Sequence, residues 1–104
     1  MNDKAKFIQS LPIKNVDQKI EHEGGIIFFF ELNGVSYNLY VYKYLSVGYL
    51  PDFVTHVKDK EMCSFCGNSV DQYDYCSELS QYKEELFAHL KTFPSVRLHW
   101  LFIS

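Results

Sequence analysis

Apolar and polar positions alternate most regularly between residues 26 and 42, and the alternation is interrupted once, at Asn33-Gly34. Asparagine and glycine tolerate the positive φ angles of a type I′ turn, so strands 26–32 and 35–42 read as a β-hairpin with a two-residue loop. That loop pairs Leu32 with Val35, Phe30 with Tyr37, Phe28 with Leu39 and Ile26 with Val41. Because side chains alternate along a strand, these eight apolar or aromatic residues share one face. The other face carries Glu31 with Ser36, Phe29 with Asn38 and Ile27 with Tyr40. It is polar near the turn and apolar away from it, so cover is expected only over its far end.

A third strand is expected over 16–22, where Val16, Gln18, Ile20 and His22 alternate with Asp17, Lys19 and Glu21. The turn at Glu23-Gly24-Gly25 decides its register. A three-residue loop with a glycine bulge pairs His22 with Ile26, Ile20 with Phe28 and Val16 with Leu32, whereas a one-residue slip would reverse its faces. The chosen register sets Asp17 opposite Glu31, a small like-charge cost that Lys19 on the diagonal partly offsets.

Ahead of these strands, Phe7, Ile8 and Leu11 give a short helix over about 3–11, ended by Pro12. Residues 43–62 carry conflicting signals: Pro51-Asp52 can start a helix, but Val54, Thr55 and Val57 favour a strand. A structured loop over 63–76 precedes a helix over about 77–93, capped by Ser77 and striped by Leu79, Tyr82, Leu86, Leu90 and Phe93. Pro94 stops it, and 97–103 reads as a central strand, apolar on both faces apart from His99. The expected fold is a single α+β domain, residues 1–104: an antiparallel sheet of about four strands (16–22, 26–32, 35–42, 97–103) with helices (3–11 and 77–93) on one face.

Composition sharpens this picture in a few respects. Apolar residues make up 47% of the 104, and the aromatic share of 17% is high, so the chain is not of the disordered class. Its longest uninterrupted apolar run, Ile26–Phe30, falls far short of the roughly 18 residues a spanning helix needs. No secretory signal pattern is visible before Pro12, and the expected location is the cytoplasm.

Charge is unevenly distributed along the chain. Residues 59–85 hold seven acids against two lysines, while the remainder holds eight bases and six acids. There is one arginine, Arg97. Nucleic-acid binding needs clustered cations to neutralise phosphates, and no such cluster exists. An acidic segment that also carries tyrosines suits a protein partner with a basic surface.

Three cysteines, an odd number, argue against a disulfide framework. Cys63-Ser64-Phe65-Cys66-Gly67-Asn68 spaces two thiols three residues apart with a glycine after the second. Such a turn can wrap a metal ion and point backbone N–H groups at the sulfurs, as in half of a zinc knuckle. Cys76 and His56 complete a Cys3His set, and His89 is a further imidazole within the following helix. A structural zinc is therefore the one cofactor the residues suggest. Against it stand the missing second Cys-x-x-Cys and the simpler reading of three free thiols, some buried as small apolar groups. A redox role would want the first cysteine at a helix N-terminus after a strand, and here glycine follows the second cysteine at once and no βαβ pattern surrounds the pair.

For catalysis there is no Gly-x-Ser-x-Gly elbow and no phosphate-binding glycine loop. A Cys76–His89 dyad depends on the tertiary fold, and Glu84-Glu85 reads as a solvated helix face. His99 reads as a packed strand histidine and His22 as a turn residue. The remaining concentration of chemistry is Asp71, Tyr73, Asp74, Tyr75 and Glu78. Tyrosine offers large contact area at low entropic cost, and carboxylates beside it can meet a basic groove. The residues thus suggest a non-catalytic inhibitor that binds a protein partner by occlusion, such as a bacterial immunity protein against a toxin or a phage-encoded blocker of a host enzyme. A zinc-stabilised interaction module is the second reading, and an enzyme without a recognisable motif the third.

Overall fold

The computed structural model describes residues 3–21, 25–44 and 47–96. In chain order the elements are α1 (Asp3–Ser10), β1 (Lys14–Ile20), β2 (Ile26–Leu32), β3 (Val35–Tyr44), β4 (Gly48–His56), β5 (Glu61–Cys63), β6 (Asn68–Val70), α2 (Ser77–Ser80) and α3 (Lys83–Leu90). The first four strands form an antiparallel sheet in the order β1-β2-β3-β4, and β5 and β6 form a separate two-stranded sheet. The α+β class with an antiparallel four-stranded sheet is as expected. Among the described residues no helix is long and apolar enough to cross a membrane.

The central hairpin has the register its turn implies. Leu32 faces Val35, Phe30 faces Tyr37, Phe28 faces Leu39 and Ile26 faces Val41. All eight side chains are at most 5% exposed. Phe28 meets Phe87 of α3 with ring centroids 5.7 Å apart, and α1 packs beside α3, with Phe7 lying 5.0 Å from Tyr82 just ahead of that helix. At the turn, Asn33 and Gly34 adopt φ of 54° and 79°. A Cβ at Gly34 would touch nothing, so Gly34→Ala tests the backbone alone. It should lower stability by about 1–2 kcal/mol, the cost of a left-handed conformation for a residue with a side chain. Equilibrium urea unfolding would read this as a lower midpoint at unchanged slope.

β1 departs from expectation in register. Ile20 pairs with Ile26, Gln18 with Phe28 and Asp17 with Phe29, two residues away from the anticipated alignment. A shift of two keeps every side chain on its face, so the apolar pattern could not distinguish the alternatives. Charge does. The pairing is irregular between Lys14 and Asp17, around Asn15 at φ 55°, and this brings Lys14 rather than Asp17 opposite Glu31. Lys14 Nζ lies 3.5 Å from Glu31 Oε2, and the Asn15 amide donates to Glu31 Oε1 at 2.9 Å. The amide, helped by the lysine charge, holds the Glu31 carboxyl below its ordinary pKa.

The fourth described strand is β4, in the stretch whose signals conflicted, whereas the strand expected over 97–103 lies outside the described residues. β4 pairs with β3 from Tyr37↔His56 to Tyr44↔Gly48, with an irregularity at Tyr40/Val41 that absorbs one extra residue beside Pro51. Proline is tolerated at such a site on an edge strand, where no ladder N–H is required of it. The outer edge of β4 is not left bare. Cys76 N–H donates to the Val54 carbonyl and His56 N–H to the Asp74 carbonyl, each at 2.9 Å, while Thr55 and Tyr75 form a bridge.

The helix expected over 77–93 is broken in two. Ser77 is the first residue of α2 rather than its cap; that position belongs to Cys76, which makes no side-chain capping bond. Ser80 Oγ accepts the Val54 N–H at 2.9 Å, tying α2 to the sheet edge. Tyr82, at φ −105° and ψ 18°, then redirects the chain so that α3 can lie across the sheet face with α1. The apolar stripe survives the break, since Leu79, Leu86 and Leu90 are fully buried.

Candidate metal centre

The segment after β4 folds back on itself through β5 and β6. Between them the residues Cys63-Ser64-Phe65-Cys66-Gly67 form a tight turn. Gly67 N–H donates to the Cys63 carbonyl at 2.8 Å, with Gly67 at φ 76°. Only glycine adopts that φ at no steric cost, which is why it follows the second thiol. The turn aims the Cys66 N–H at Cys63 Sγ, 3.4 Å away.

Two further elements, β4 and α2, converge on this turn. His56 closes β4, Cys63 closes β5 and Cys76 immediately precedes α2. Together with Cys66 they place one ligand atom each within 4.8 Å of one another. Cys66 Sγ lies 3.7 Å from His56 Nε2 and 3.9 Å from Cys76 Sγ. Zinc–sulfur bonds of about 2.3 Å and zinc–nitrogen bonds of about 2.0–2.1 Å give tetrahedral edges of roughly 3.5–3.8 Å. The cluster is within small side-chain adjustments of that size.

The imidazole is pre-oriented. His56 Nδ1 lies 2.8 Å from the Asp74 carbonyl, which can only accept, so Nδ1 carries the proton and Nε2 presents its lone pair to the sulfurs. His56, Cys63 and Cys76 are fully buried, and Cys66 is half-buried.

The thiols are electrostatically unequal. Burial opposes ionisation of Cys63, but hydrogen bonds from Tyr37 and from the backbone N–H groups of Cys66 and Phe65 outweigh it and bring the thiol down to about 7. Cys66 and Cys76 are pushed up, by burial first and then by the neighbouring sulfurs. One thiolate thus forms readily and two resist. A divalent cation among them removes that resistance, because each added thiolate then meets an opposite charge.

The four residues singled out by sequence as ligands are therefore brought together. His89 is not among them; it sits half-buried on α3, edge-on to Phe93 at 5.2 Å, and burial lowers its pKa. Asp71, Tyr73, Asp74, Tyr75 and Glu78 are all exposed on the outside of the same segment, Tyr73 and Tyr75 by 65% and 58%. Several of their carboxylates have local partners: Asp74 accepts from Asp71 N–H, and Asp71 lies 3.6 Å from Lys60. The Tyr75 ring continues an aromatic row over the sheet, 6.3 Å from Phe53, which stacks on Tyr40 at 4.8 Å. A surface hollow of about 430 Å³ lies between this region and Cys66, lined in part by Phe65, Ser69, Asp74, Tyr75 and Glu78.

Comparison with protein-family models, with curated proteins and with solved structures gives no match for this chain. Its functional reading rests on its own residues.

Proposed function

We propose that this chain is a zinc-stabilised, non-catalytic protein-binding module. The observation that carries the reading is the convergence of His56, Cys63, Cys66 and Cys76, four ligand atoms within 4.8 Å of one another. Soft thiolates with one imidazole select zinc over hard cations, and four protein ligands close the coordination shell. A closed shell leaves no position for a substrate or activated water, which favours a structural role over a catalytic one. A reducing compartment such as the cytoplasm would keep the thiols available as ligands.

The metal would fix the course of residues 57–76, whose own sheet is only two strands of three residues each. Two-stranded hairpins are marginal by themselves, so a metal clip is the element that can make this one rigid. On its outer side stand Tyr73 and Tyr75 with Asp71, Asp74 and Glu78, a surface suited to a basic partner. Occlusion of such a partner's groove, in the manner of an immunity protein or a phage-encoded blocker, is the form of binding this surface best serves.

Elemental analysis of purified protein should find about one zinc per chain, and less than half an equivalent would exclude the metal reading. Recognition is tested separately. Tyr73→Ala and Tyr75→Ala together should leave zinc content unchanged and weaken capture of the native partner at least tenfold. Undiminished capture would remove this surface from the proposal.

A further inference from the structure

Tyr37 sits on the core face of β3 among apolar side chains, yet it carries a hydroxyl into the buried layer. The residue is fully buried, and a buried phenol demands a hydrogen-bond partner. Among the described residues that partner is Cys63 Sγ, at 3.1 Å. The ring also lies 5.4 Å from the His56 imidazole and 5.4 Å from Phe30 on the neighbouring strand. One side chain of the central hairpin thus touches two of the four residues in the cluster.

A metal-bound thiolate has no proton to give, so the phenol must be the donor in the loaded state. The donated bond withdraws charge from the sulfur. It also offsets part of the net negative charge that three thiolates leave around a divalent ion in a buried site. The backbone N–H of Cys66 supports the same sulfur from the other side at 3.4 Å. The ring, meanwhile, limits how far the imidazole can rotate out of line.

We infer that Tyr37 is a positioning residue of the metal centre, holding Cys63 as an oriented thiolate and joining metal occupancy to the central hairpin. This rests on the metal reading above and extends it to a residue outside the ligand set. Outer hydrogen-bond partners of this kind typically change metal affinity by about 10- to 100-fold.

Tyr37→Phe keeps the ring and removes only the donor. Cobalt(II), used alone as a spectroscopic stand-in for zinc, reports on the thiolates directly. The wild-type protein should give a tetrahedral cobalt spectrum with sulfur-to-metal charge-transfer bands. In Y37F the charge-transfer bands should move to lower energy, because the sulfur that lost its donor gives up electrons more easily. Zinc affinity measured against a chromogenic chelator should fall by about tenfold. A purely packing role for the hydroxyl would leave the band position unmoved. If wild type and Y37F share both band position and affinity, the inference is overturned while the metal reading stands. If wild type gives no tetrahedral cobalt spectrum, the metal reading falls and this inference with it. Should Y37F not fold, NMR of the zinc-loaded wild type decides. A slowly exchanging Tyr37 hydroxyl proton that disappears on metal removal supports the donor, and its absence in the loaded protein overturns it.

Discussion

Cys76→Ser is expected to release the metal and to lower the thermal midpoint by about 15–30 °C. The estimate follows from linkage. A ligand that binds only the folded state at a thousand times its Kd stabilises by about 4 kcal/mol. In a domain of this size each kcal/mol is worth about 4–8 °C. Cys76 is the ligand where the loss should be most complete. It is fully buried, its N–H bonds the edge of β4, and its carbonyl accepts from Ser80 in the first turn of α2. Serine preserves the size and those backbone bonds but replaces a soft thiolate by a weak oxygen ligand. Chelation supplies the control. It should lower the wild-type midpoint by a similar amount and leave C76S unchanged, since both perturbations remove the same interaction. A wild-type midpoint indifferent to chelator would sink the expectation.

Phe28→Ala should produce the second large effect, about 3–5 kcal/mol of lost stability. Phe28 is fully buried at the centre of the core face, opposite Leu39 on β3 and against Phe87 of α3. Truncation removes the transfer energy of the ring and leaves a cavity. Strands on one side and a helix on the other are held in place by their own bonds and cannot collapse to fill it. With total stability of roughly 5–15 kcal/mol for such a domain, the variant would be marginal. Urea unfolding followed by circular dichroism measures it, and a loss under 1 kcal/mol would mean that the core does not centre on Phe28. Zinc content per folded chain should be unaffected, which separates this failure from that of C76S.

The central hairpin was legible because both of its determinants are local. Asn33-Gly34 specifies the turn and strict alternation specifies the face. The metal cluster was partly legible for a similar reason, since Cys63 and Cys66 are positioned by one short turn. His56 and Cys76 could be named as candidates, but nothing in their spacing says that β4 ends where α2 begins. His89 was a further imidazole in the following helix, and the packing of α3 carries it elsewhere.

Other features were misread for identifiable reasons. The register of β1 depends on whether Asp17 or Lys14 stands opposite Glu31, a contact between residues 14 or 17 positions apart, respectively. β4 was obscured because Pro51 and the irregularity at Tyr40/Val41 put its apolar positions out of phase. The helix over 77–93 keeps an unbroken 3.6-residue pattern, and its break at Tyr82 answers to the bond between Ser80 and Val54. Tyr37 gave no signal of its own. Its place in the alternating pattern is that of any core tyrosine, and the sulfur it reaches is 26 residues away.

The line between the two kinds of information therefore falls between turns and junctions. By itself the sequence determined the hairpin, its register and buried face, the knuckle between Cys63 and Gly67, and the acidic-aromatic character of residues 71–78. These depend on backbone preference and on side chains within a few positions of one another. Tertiary structure alone decided that the end of β4 and the start of α2 meet at the Cys63–Cys66 turn, how β1 and β4 complete the sheet, where the helix over 77–93 breaks, and that Tyr37 faces a thiol. Those outcomes turn on contacts between distant segments, whose energies of a few kcal/mol at most leave no periodic trace along the chain.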